Sequence, residues 1–328
     1  MLDEIFLKTI QEYNLIKKKD RIILGVSGGP DSVCMLYQFQ AIAKDYKLQL
    51  VCAHLNHGLR KESDDEEKFV QALCKKLGVR CVSEKREVKA FYTGDSLEQA
   101  ARNVRFDFFL ASARSYKSKI LALAHHKDDL AETVVMRLIR GSGLKGLQGF
   151  LPRSRYKSLT IIRPMINITK NDILAWLKDR AISYCTDASN AEDIFLRNRI
   201  RMQVLPLLRE LNPNIVDTLY NASQAIAADY EFISLAAREA FLGLKKRESG
   251  QQIYLDLEGL KKLSQPLFNN VIRTAIEELQ GHIRRLEVRH LKEVYDLVHA
   301  RRQTSIVDLP NLLVKKDEKT LIIQSLLL

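Results

Sequence analysis

Cysteine is scarce in this chain of 328 residues, and the few cysteines present are widely spaced. The five are Cys34, Cys52, Cys74, Cys81 and Cys185. Their number is odd and no two of them form a CxxC pair, which argues against a disulfide framework or a zinc knuckle. The prediction is reduced, mostly buried thiols in a cytoplasmic protein, with Cys74 and Cys81 in the core.

Long hydrophobic runs are absent as well. No segment approaches the ~20 apolar residues that span a bilayer, so membrane insertion is not expected. The N-terminal stretch MLDEIFLKTIQEYNLIKKK has acidic residues among its apolar ones, which is typical of an amphipathic helix and not of a signal peptide. With 46% hydrophobic and 28% charged residues, the composition indicates a globular chain that is long enough for two domains.

Acidic residues are outnumbered, since 40 Asp and Glu stand against 52 Lys and Arg and leave a net charge of +12. Residues 137–214 hold 14 basic and 6 acidic side chains, so this stretch contains two-thirds of the excess. A local excess of positive charge indicates a polyanionic partner such as nucleic acid. A basic surface that only aids solubility is the alternative.

Short β-type runs alternate with helical stretches from residue 22 onward. The predicted strands are 22–26, 48–55, 79–87 and 119–125, and the predicted helices are 32–43, 64–77, 96–113 and 129–141. The alternation predicts an α/β fold with a doubly wound parallel sheet, which binds ligands at the carboxyl ends of its strands. After Asn212-Pro213 the pattern becomes helical, so we predict domains at 1–213 and 214–328. The second is expected to be smaller and mainly helical, with a loop over 245–252 and three short strand runs, YLDL, SIVDL and TLIIQ.

The strongest local motif is Ser27-Gly28-Gly29-Pro30-Asp31-Ser32, between a predicted strand and a predicted helix. Two glycines allow close approach of the backbone to a ligand, and the amides at a helix start form an anion site. The motif is neither GxxxxGK[ST] nor GxGxxG, which excludes the two best-known nucleotide loops. A phosphate cradle is predicted, with a capped Gly-Pro turn as the alternative.

A second group of polar residues follows the fourth predicted strand, at 125–132. Asp129 and Glu132 are three apart and share a helix face, which suits a substrate ammonium group. Asp128 is expected only to cap the helix. His125 and His126 lack a third ligand at a convincing spacing, so a place beside a nucleotide or a base is favoured over zinc.

Further candidates flank these two segments. Arg102 and Arg105 lie three apart on a predicted helix, where they are either solvated or close to a phosphate. His54, Asn56 and His57 end the second predicted strand and suggest contact with adenine or substrate, although His54 also fits a core position. Lys145 lies in a glycine-rich loop, where it either covers a reacting base or is solvated. For Arg197, Arg199 and Arg201, ion pairs with Glu192 or Asp193 are the alternative to RNA contact.

The loop Ser27–Ser32 resembles the PP-loop of N-type ATP pyrophosphatases, which cleave ATP between its α and β phosphates and transfer AMP to an oxygen. Further motifs are AHLNHGLR at 53–60, AARNVRF at 100–106, LAHHKDDLAET at 123–133, RGSGLKGL at 140–147, DASN at 187–190 and RNRIR at 197–201. In this order they look like the tRNA(Ile)-lysidine synthetase family over residues 22–206. The second domain resembles the family only loosely, and an additional C-terminal domain of longer members is not expected here.

The resemblance implies an ATP-dependent ligase that converts the first anticodon cytidine of tRNA(Ile) with a CAU anticodon into lysidine, using free L-lysine. The C2 oxygen is adenylated, and the lysine amine then displaces AMP. The site residues predicted for this reaction are, for catalysis, Asp31, Arg102, His125 and Asp129, with Asp31 also at Mg²⁺. For ATP they are Ser27, Gly28, Gly29, Pro30, Asp31, Ser32, His54, Asn56 and His57. For lysine they are Asp129 and Glu132, and for RNA Arg140, Lys145, Arg197, Arg199 and Arg201.

Two alternative functions stay open from the sequence. One is a PP-loop tRNA 2-thiolation enzyme, which would normally use paired cysteines. The other is a non-catalytic RNA-binding protein with a degenerate nucleotide fold, which predicts erosion of a loop that is intact here. The sequence also leaves the oligomeric state open, with a homodimer as the alternative to a monomer.

Overall fold

The computed structural model of the protein describes residues 1–56, 63–86, 97–186, 196–283, 285–300 and 305–326. These residues form two compact units, Met1–Ile226 and Ala227–Leu328. The division lies within one long helix, Ile215–Leu244, whereas the composition changes near residue 213. The domain limits 1–213 and 214–328 stay a prediction. None of the helices in the described ranges has both the length and the apolar character needed to cross a membrane.

Six strands form the sheet of the first unit. They are β1 (Arg21–Gly25), β2 (Gln49–Asn56), β3 (Arg80–Lys85), β4 (Ile120–Ala122), β5 (Arg153–Tyr156) and β6 (Leu159–Ile162). Their order is β3-β2-β1-β4-β6-β5, and all neighbours are parallel except β5, which is antiparallel to β6. The predicted parallel sheet is therefore confirmed, and the β5–β6 hairpin extends it.

Helices cover both faces of this sheet. They are α1 (Leu2–Glu12), α2 (Pro30–Tyr46), α3 (Ser63–Leu77), α4 (Leu97–Ser115), α5 (Lys127–Ile139), α6 (Leu144–Leu147), α7 (Lys170–Asp179), α8 (Leu196–Arg199), a π-helical turn (Ile200–Val204) and α9 (Leu205–Leu211). One hydrophobic core includes buried residues of α1, α2, α3 and α7, and a second core includes those of α4. Cores on two faces confirm the doubly wound fold.

The chain reverses its direction of winding between β1 and β4. From β1 it continues outward to β2 and β3, and from β4 it continues to β6 on the other side. In open α/β sheets the carboxyl ends of two such strands border a crevice that binds ligands. The loop Ser27–Ser32 follows β1 and the segment His125–Glu132 follows β4, so the topology brings the two strongest sequence motifs to this crevice.

The second unit combines the end of the long helix α10 (Ile215–Leu244) with three further helices and five strands. They are β7 (Lys245–Ser249), β8 (Gln252–Asp256), α11 (Leu257–Lys261), α12 (Gln265–Gln280), α13 (Val288–His299), β9 (Ser305–Leu309), β10 (Leu312–Lys316) and β11 (Thr320–Ser325). The strands form one antiparallel sheet in the order β7-β8-β11-β10-β9. The description "mainly helical" is therefore incomplete.

The predicted loop over 245–252 is wrong, because this segment contributes to two paired strands. The polar sequence KKRES forms β7, an edge strand that pairs with β8. Charged side chains are usual on edge strands because they discourage pairing with other chains. Composition alone therefore indicated a loop, and only pairing with β8 makes this segment a strand.

Candidate active site

The loop Ser27–Ser32 is a closed turn at the start of α2. The Ser32 hydroxyl oxygen lies 3.1 Å from the amide nitrogen of Ser27, from which it accepts, and it donates to the Gly29 carbonyl oxygen at 3.0 Å. Gly28 has φ +96°, and a Cβ there would lie 3.3 Å from Val70 Cγ2. This position therefore favours glycine on two grounds, backbone conformation and space. The amides at the start of the 17-residue helix α2 are the anion-binding feature expected from the sequence.

A cavity of about 650 Å³ lies beside this loop. Its lining residues are Ser27, Gly29, Pro30, Asp31, Glu66, His126, Asp128, Glu132, Lys170, Asn171, Leu174, Tyr184, Cys185, Thr186, Arg201, Leu205 and Arg209. The two motifs that follow β1 and β4 thus contribute to one site. His54 and Asn56 are not among the lining residues, and the predicted nucleotide contact His57 lies outside the described residues.

Among the described residues, Lys170 is the cation nearest to the Asp31 carboxylate, and it is not among the residues predicted from the sequence. Its Nζ lies 2.6 Å from Asp31 Oδ1. Thr169 and Asp172 form a reciprocal capping box that begins α7, and this fixes Lys170 in the first turn. The pattern Thr-Lys-Asn-Asp was the available signal, because a capping box marks a helix start.

The start of α5 connects the two motifs through His126. Its side chain caps the helix by accepting from the Asp129 amide at 3.4 Å, while Asp129 Oδ2 accepts from the His126 amide at 3.2 Å. His126 Nε2 also lies 3.7 Å from Asp31 Oδ1. Asp128, expected to cap this helix, instead accepts from the Lys170 amide at 2.8 Å and pairs with Arg209 at 3.0 Å.

Glu132 is buried, with 2% of its side chain exposed, and two arginines bind it. Arg201 donates to both carboxylate oxygens, at 2.6 and 3.0 Å, and Arg197 Nε donates at 2.9 Å. The terminal nitrogens of both arginines also lie 3.5–3.6 Å from Asp129 Oδ1. Arg197 and Arg201 thus form ion pairs with Glu132 and Asp129, whereas Glu192 and Asp193, the partners proposed as the alternative to RNA contact, lie outside the described residues.

Asp129 remains ionised over the whole physiological pH range. Desolvation by itself raises its pKa, but attraction to His126, to His125 in the acidic range where that ring is protonated, and to Arg197 outweighs that effect and lowers the pKa to about 2. A carboxylate with such a low pKa is a stable partner for a cation and a weak proton acceptor. This favours a role in holding an ammonium group over a role in deprotonating it.

His125 and Arg163 form a second polar group at the carboxyl ends of β4 and β6. Both contact the ring of Phe150, with a ring centroid distance of 5.0 Å for His125 and a guanidinium distance of 5.2 Å for Arg163. Arg163 is 6% exposed and donates to the Leu151 carbonyl at 2.7 Å and to Ser154 at 2.9 Å. Arg163 was missed because the strand before it was not predicted, although the apolar run LTII indicates one.

The charges around this group are mostly positive. Desolvation lowers the pKa of His125 to about 3, and the charges of Arg163, Arg197 and Arg105 add to this effect against that of Asp129. Desolvation and the charge of Arg102 lower the pKa of Arg163 to about 10. His125 is therefore neutral beside several cations, which suits a site for an anionic group next to an uncharged base.

The low pKa of His125 leads to a pH prediction. Its ordinary value is 6.5, so unfolding takes up a proton at every pH between about 3 and 6.5. We expect the free energy of unfolding of the first unit to fall as the pH is lowered through this range, by up to about 1.4 kcal/mol per pH unit. Urea unfolding at several pH values should show a smaller slope for His125→Asn. The exposed His299→Asn variant is the control, and equal slopes for wild type and His125→Asn would contradict the assignment.

The other predicted cations differ in exposure. Arg140, which ends α5, and Arg199 are exposed. Arg102 is exposed too, with its guanidinium 4.9 Å from the centre of the Phe106 ring. Lys145 lies on the short helix α6 and not in a flexible loop. The sequence DASN at 187–190 lies outside the described residues.

Comparison with known proteins first defines the class. A model of the PP-loop domain matches residues 2–208, and a model of the TilS substrate binding domain matches residues 255–320. The fold is similar to that of the U34-tRNA thiolase NcsA from Methanococcus maripaludis, with a TM-score of 0.58 and 19% identity over 68% of this chain and 77% of that chain. The first unit is thus a PP-loop ATP-binding domain.

Relatives at higher identity then define the family. The tRNA(Ile)-lysidine synthase of Clostridioides difficile (strain 630) is 30% identical over 98% of this chain and 70% of its own length. Those of Clostridium tetani and Dehalococcoides mccartyi are 31% and 34% identical over 90% of this chain and 63% and 64% of their lengths. The chain belongs to the tRNA(Ile)-lysidine synthase family and spans about two-thirds of the length of these relatives. The predicted family, its use of ATP and its class as a tRNA-modifying ligase are confirmed, and the two alternative functions have no such support.

Proposed function

We propose that this chain forms lysidine on the first anticodon cytidine of tRNA(Ile) with a CAU anticodon, from ATP and free L-lysine. One observation carries the proposal: the PP-loop after β1 and the family motif after β4 line the same cavity. A phosphate cradle and a carboxylate-rich helix start then act on one substrate complex. The reaction needs both the phosphate cradle and the carboxylates, because an AMP group and an amine must reach the same base.

In the first step the C2 oxygen of cytidine attacks the α-phosphorus of ATP. A bond from this oxygen to phosphorus forms, the bond to the bridging oxygen breaks, and pyrophosphate leaves. The loop amides and the start of α2 stabilise the departing negative charge, and Lys170 adds a positive charge beside Asp31. The short distance between Lys170 and Asp31 supports a place for Lys170 on the pyrophosphate side of the cavity.

Asp31 is suited to Mg²⁺, which prefers carboxylate oxygens and phosphate oxygens together. Among the described residues its two ionic partners, Lys170 and His126, are both closest to Oδ1. Asp31 is the residue that would hold the ion. When bound, Mg²⁺ supplies charge neutralisation for the leaving pyrophosphate.

The group at the ends of β4 and β6 is suited to the base and its phosphate. Arg102 and Arg163 supply positive charge for the α-phosphate or an RNA phosphate, while the neutral His125 can exchange a hydrogen bond with cytosine. Phe150, which already contacts His125 and Arg163, offers an apolar face to the ring of the base. This arrangement supports catalytic roles for Arg102 and His125.

In the second step the lysine amine attacks C2 of the adenylated base. A C–N bond forms, the C2–O bond breaks, the proton of the amine passes to solvent and AMP leaves with the oxygen. The distances favour Asp129 over Glu132 as the contact for the incoming ammonium, since guanidinium groups donate to both Glu132 oxygens at 2.6–3.0 Å but lie 3.5–3.6 Å from Asp129 Oδ1. Glu132 then acts as a positioning residue that holds Arg197 and Arg201 beside Asp129.

The test is an assay of AMP, pyrophosphate and labelled lysine with CAU-anticodon tRNA(Ile), run with and without lysine. We expect labelled lysine to enter the tRNA with about one AMP released per lysine. A tRNA with another base at the first anticodon position is the control. Release of AMP with a sulfur donor, without entry of lysine, would favour a thiolation enzyme, and tight tRNA binding without AMP would favour a non-catalytic protein.

Binding of tRNA should depend on the exposed arginines of the basic stretch. We expect Arg199→Ala or Arg140→Ala to weaken tRNA binding and to reduce the slope of log K against log salt by about 1. Fluorescence anisotropy at several salt concentrations measures this slope. Arg114→Ala, an exposed cation of α4 outside residues 137–214, is the control. An unchanged slope for both variants would exclude these side chains from the RNA interface.

A further inference from the structure

Three of the five cysteines converge next to the sheet, outside the cavity described above. Cys52 of β2 and Cys81 of β3 are partners in the strand register, and Cys74 lies on α3. The three Sγ atoms all lie within 4.8 Å of one another. Cys52 and Cys74 are buried, whereas Cys81 is partly exposed. Two sulfur donor atoms are thus buried, and the partly exposed third sulfur allows a metal ion to enter from solvent.

His54 is the candidate for a fourth ligand, and its ring nitrogens lie outside the group of atoms within 4.8 Å of one another that the three sulfur atoms form. Side chains alternate along a strand, so His54 lies on the same face of β2 as Cys52. Its Nδ1 lies 2.9 Å from the Val26 carbonyl oxygen. A carbonyl oxygen only accepts, so Nδ1 carries the proton and Nε2 keeps its lone pair. Nε2 is buried and has no hydrogen-bond partner among the described residues.

We propose that Cys52, Cys74, Cys81 and His54 form a Cys₃His site for one Zn²⁺ ion. Zinc–sulfur bonds of about 2.3 Å in tetrahedral geometry place sulfur atoms about 3.8 Å apart, so small rotations of the three cysteine side chains suffice, whereas the His54 ring must move further to become the fourth ligand. A zinc-bound histidine almost always donates its other N–H to a carbonyl or carboxylate, as His54 does to Val26. This role differs from the nucleotide contact predicted for His54.

Formation of the site needs no oxidant or reductant. The three thiols lose their protons to solvent, and the resulting thiolates and the neutral imidazole each donate an electron pair to Zn²⁺. The bound ion links β2, α3 and β3. Val70 lies on α3 one helical turn before Cys74, and it is next to Gly28 of the PP-loop. The same ion therefore restrains α3 where this helix packs against the PP-loop.

The test uses the full chain, reduced and stripped of metal with a chelator, then titrated with Zn²⁺ or Co²⁺. We expect about one metal ion per chain by elemental analysis, release of about three protons, and with Co²⁺ a thiolate-to-metal charge-transfer band plus the visible bands of a tetrahedral ion. Zn²⁺ should also raise the midpoint of thermal unfolding by several degrees. Absence of tight binding to the wild-type chain overturns the proposal.

Variants separate the site from adventitious binding. Cys74→Ser and Cys81→Ser should each lose the charge-transfer band and the thermal shift, and Cys81 is the safer position because it is partly exposed. Cys34→Ser, a buried cysteine of α2 outside the cluster, is the matched control and should keep both. Retention of the band in Cys81→Ser overturns the site. His54→Ala should alter the visible bands, and an unchanged spectrum removes His54 from the ligands.

Discussion

Asp31→Asn is expected to reduce the rate of ATP-dependent AMP formation by about a hundred- to a thousandfold. The substitution keeps the shape of the side chain but removes its charge, which pairs with Lys170 at 2.6 Å and is suited to Mg²⁺. Without it, the negative charge that develops on pyrophosphate loses its organised counter-charges. Single-turnover release of pyrophosphate with saturating tRNA measures the effect on chemistry separately from binding.

Asp45→Asn is the matched control for this experiment. Asp45 is an exposed carboxylate near the other end of the same helix, α2, and its replacement should leave the rate unchanged. Lys170→Ala should weaken ATP binding and slow pyrophosphate release as well, and the double variant should lose less than the sum of the two single effects because the residues form one pair. Full turnover of Asp31→Asn would remove its assignment to the metal.

Glu132→Ala is expected to lower the free energy of unfolding of the first unit by about 3 kcal/mol. Removal of one member of a buried ion pair usually has a larger effect than its formation, since the remaining charges stay without a partner. Here Arg197 and Arg201 both lose their main partner, but each is about one-third exposed, which places the effect at the lower end of the usual range. Urea unfolding followed by circular dichroism measures it.

The lysine dependence of the same variant tests its role in the site. Without Glu132, Arg197 and Arg201 are no longer held in place and stay close to Asp129 alone. We therefore expect them to compete with the lysine ammonium for Asp129, and the KM for lysine to rise. Glu210→Ala, an exposed carboxylate on α9, should change neither quantity. The variant Glu132→Ala with Arg197→Ala and Arg201→Ala should recover part of the stability, since no unpaired charge remains. Wild-type stability of Glu132→Ala would contradict the importance of this network.

Much of the site was predictable because its chemistry lies in short contiguous motifs. Ser27–Ser32 follows a strand and begins a helix, and the structure confirms that local arrangement. The segment from His125 to Glu132 likewise follows a strand, β4, and includes the start of a helix, α5. Both motifs depend on local backbone geometry and on the rule that parallel strands end at a common edge.

Other parts of the site were not predictable from local patterns. Lys170 is 139 positions from Asp31 in the chain, and no periodicity relates the two. Arg197 and Arg201 were predicted to contact RNA. Their pairing with Glu132 depends on the approach of α8 and of the π-helical turn to α5, which the sequence does not show. The strand β7 is polar, and only its partner strand stabilises it.

The sequence by itself determined the family, the doubly wound sheet and the location of the phosphate loop, since periodicity and contiguous motifs are properties of neighbouring residues. Tertiary structure decided which charges are paired, which side chains share the cavity, and that three widely spaced cysteines meet. The absence of a CxxC pair argued against metal binding, yet strand register places Cys52 beside Cys81 and helix packing adds Cys74. Spacing along the chain can exclude only metal sites that are built from neighbouring residues. Packing of the fold can still bring distant sulfur and nitrogen donors together.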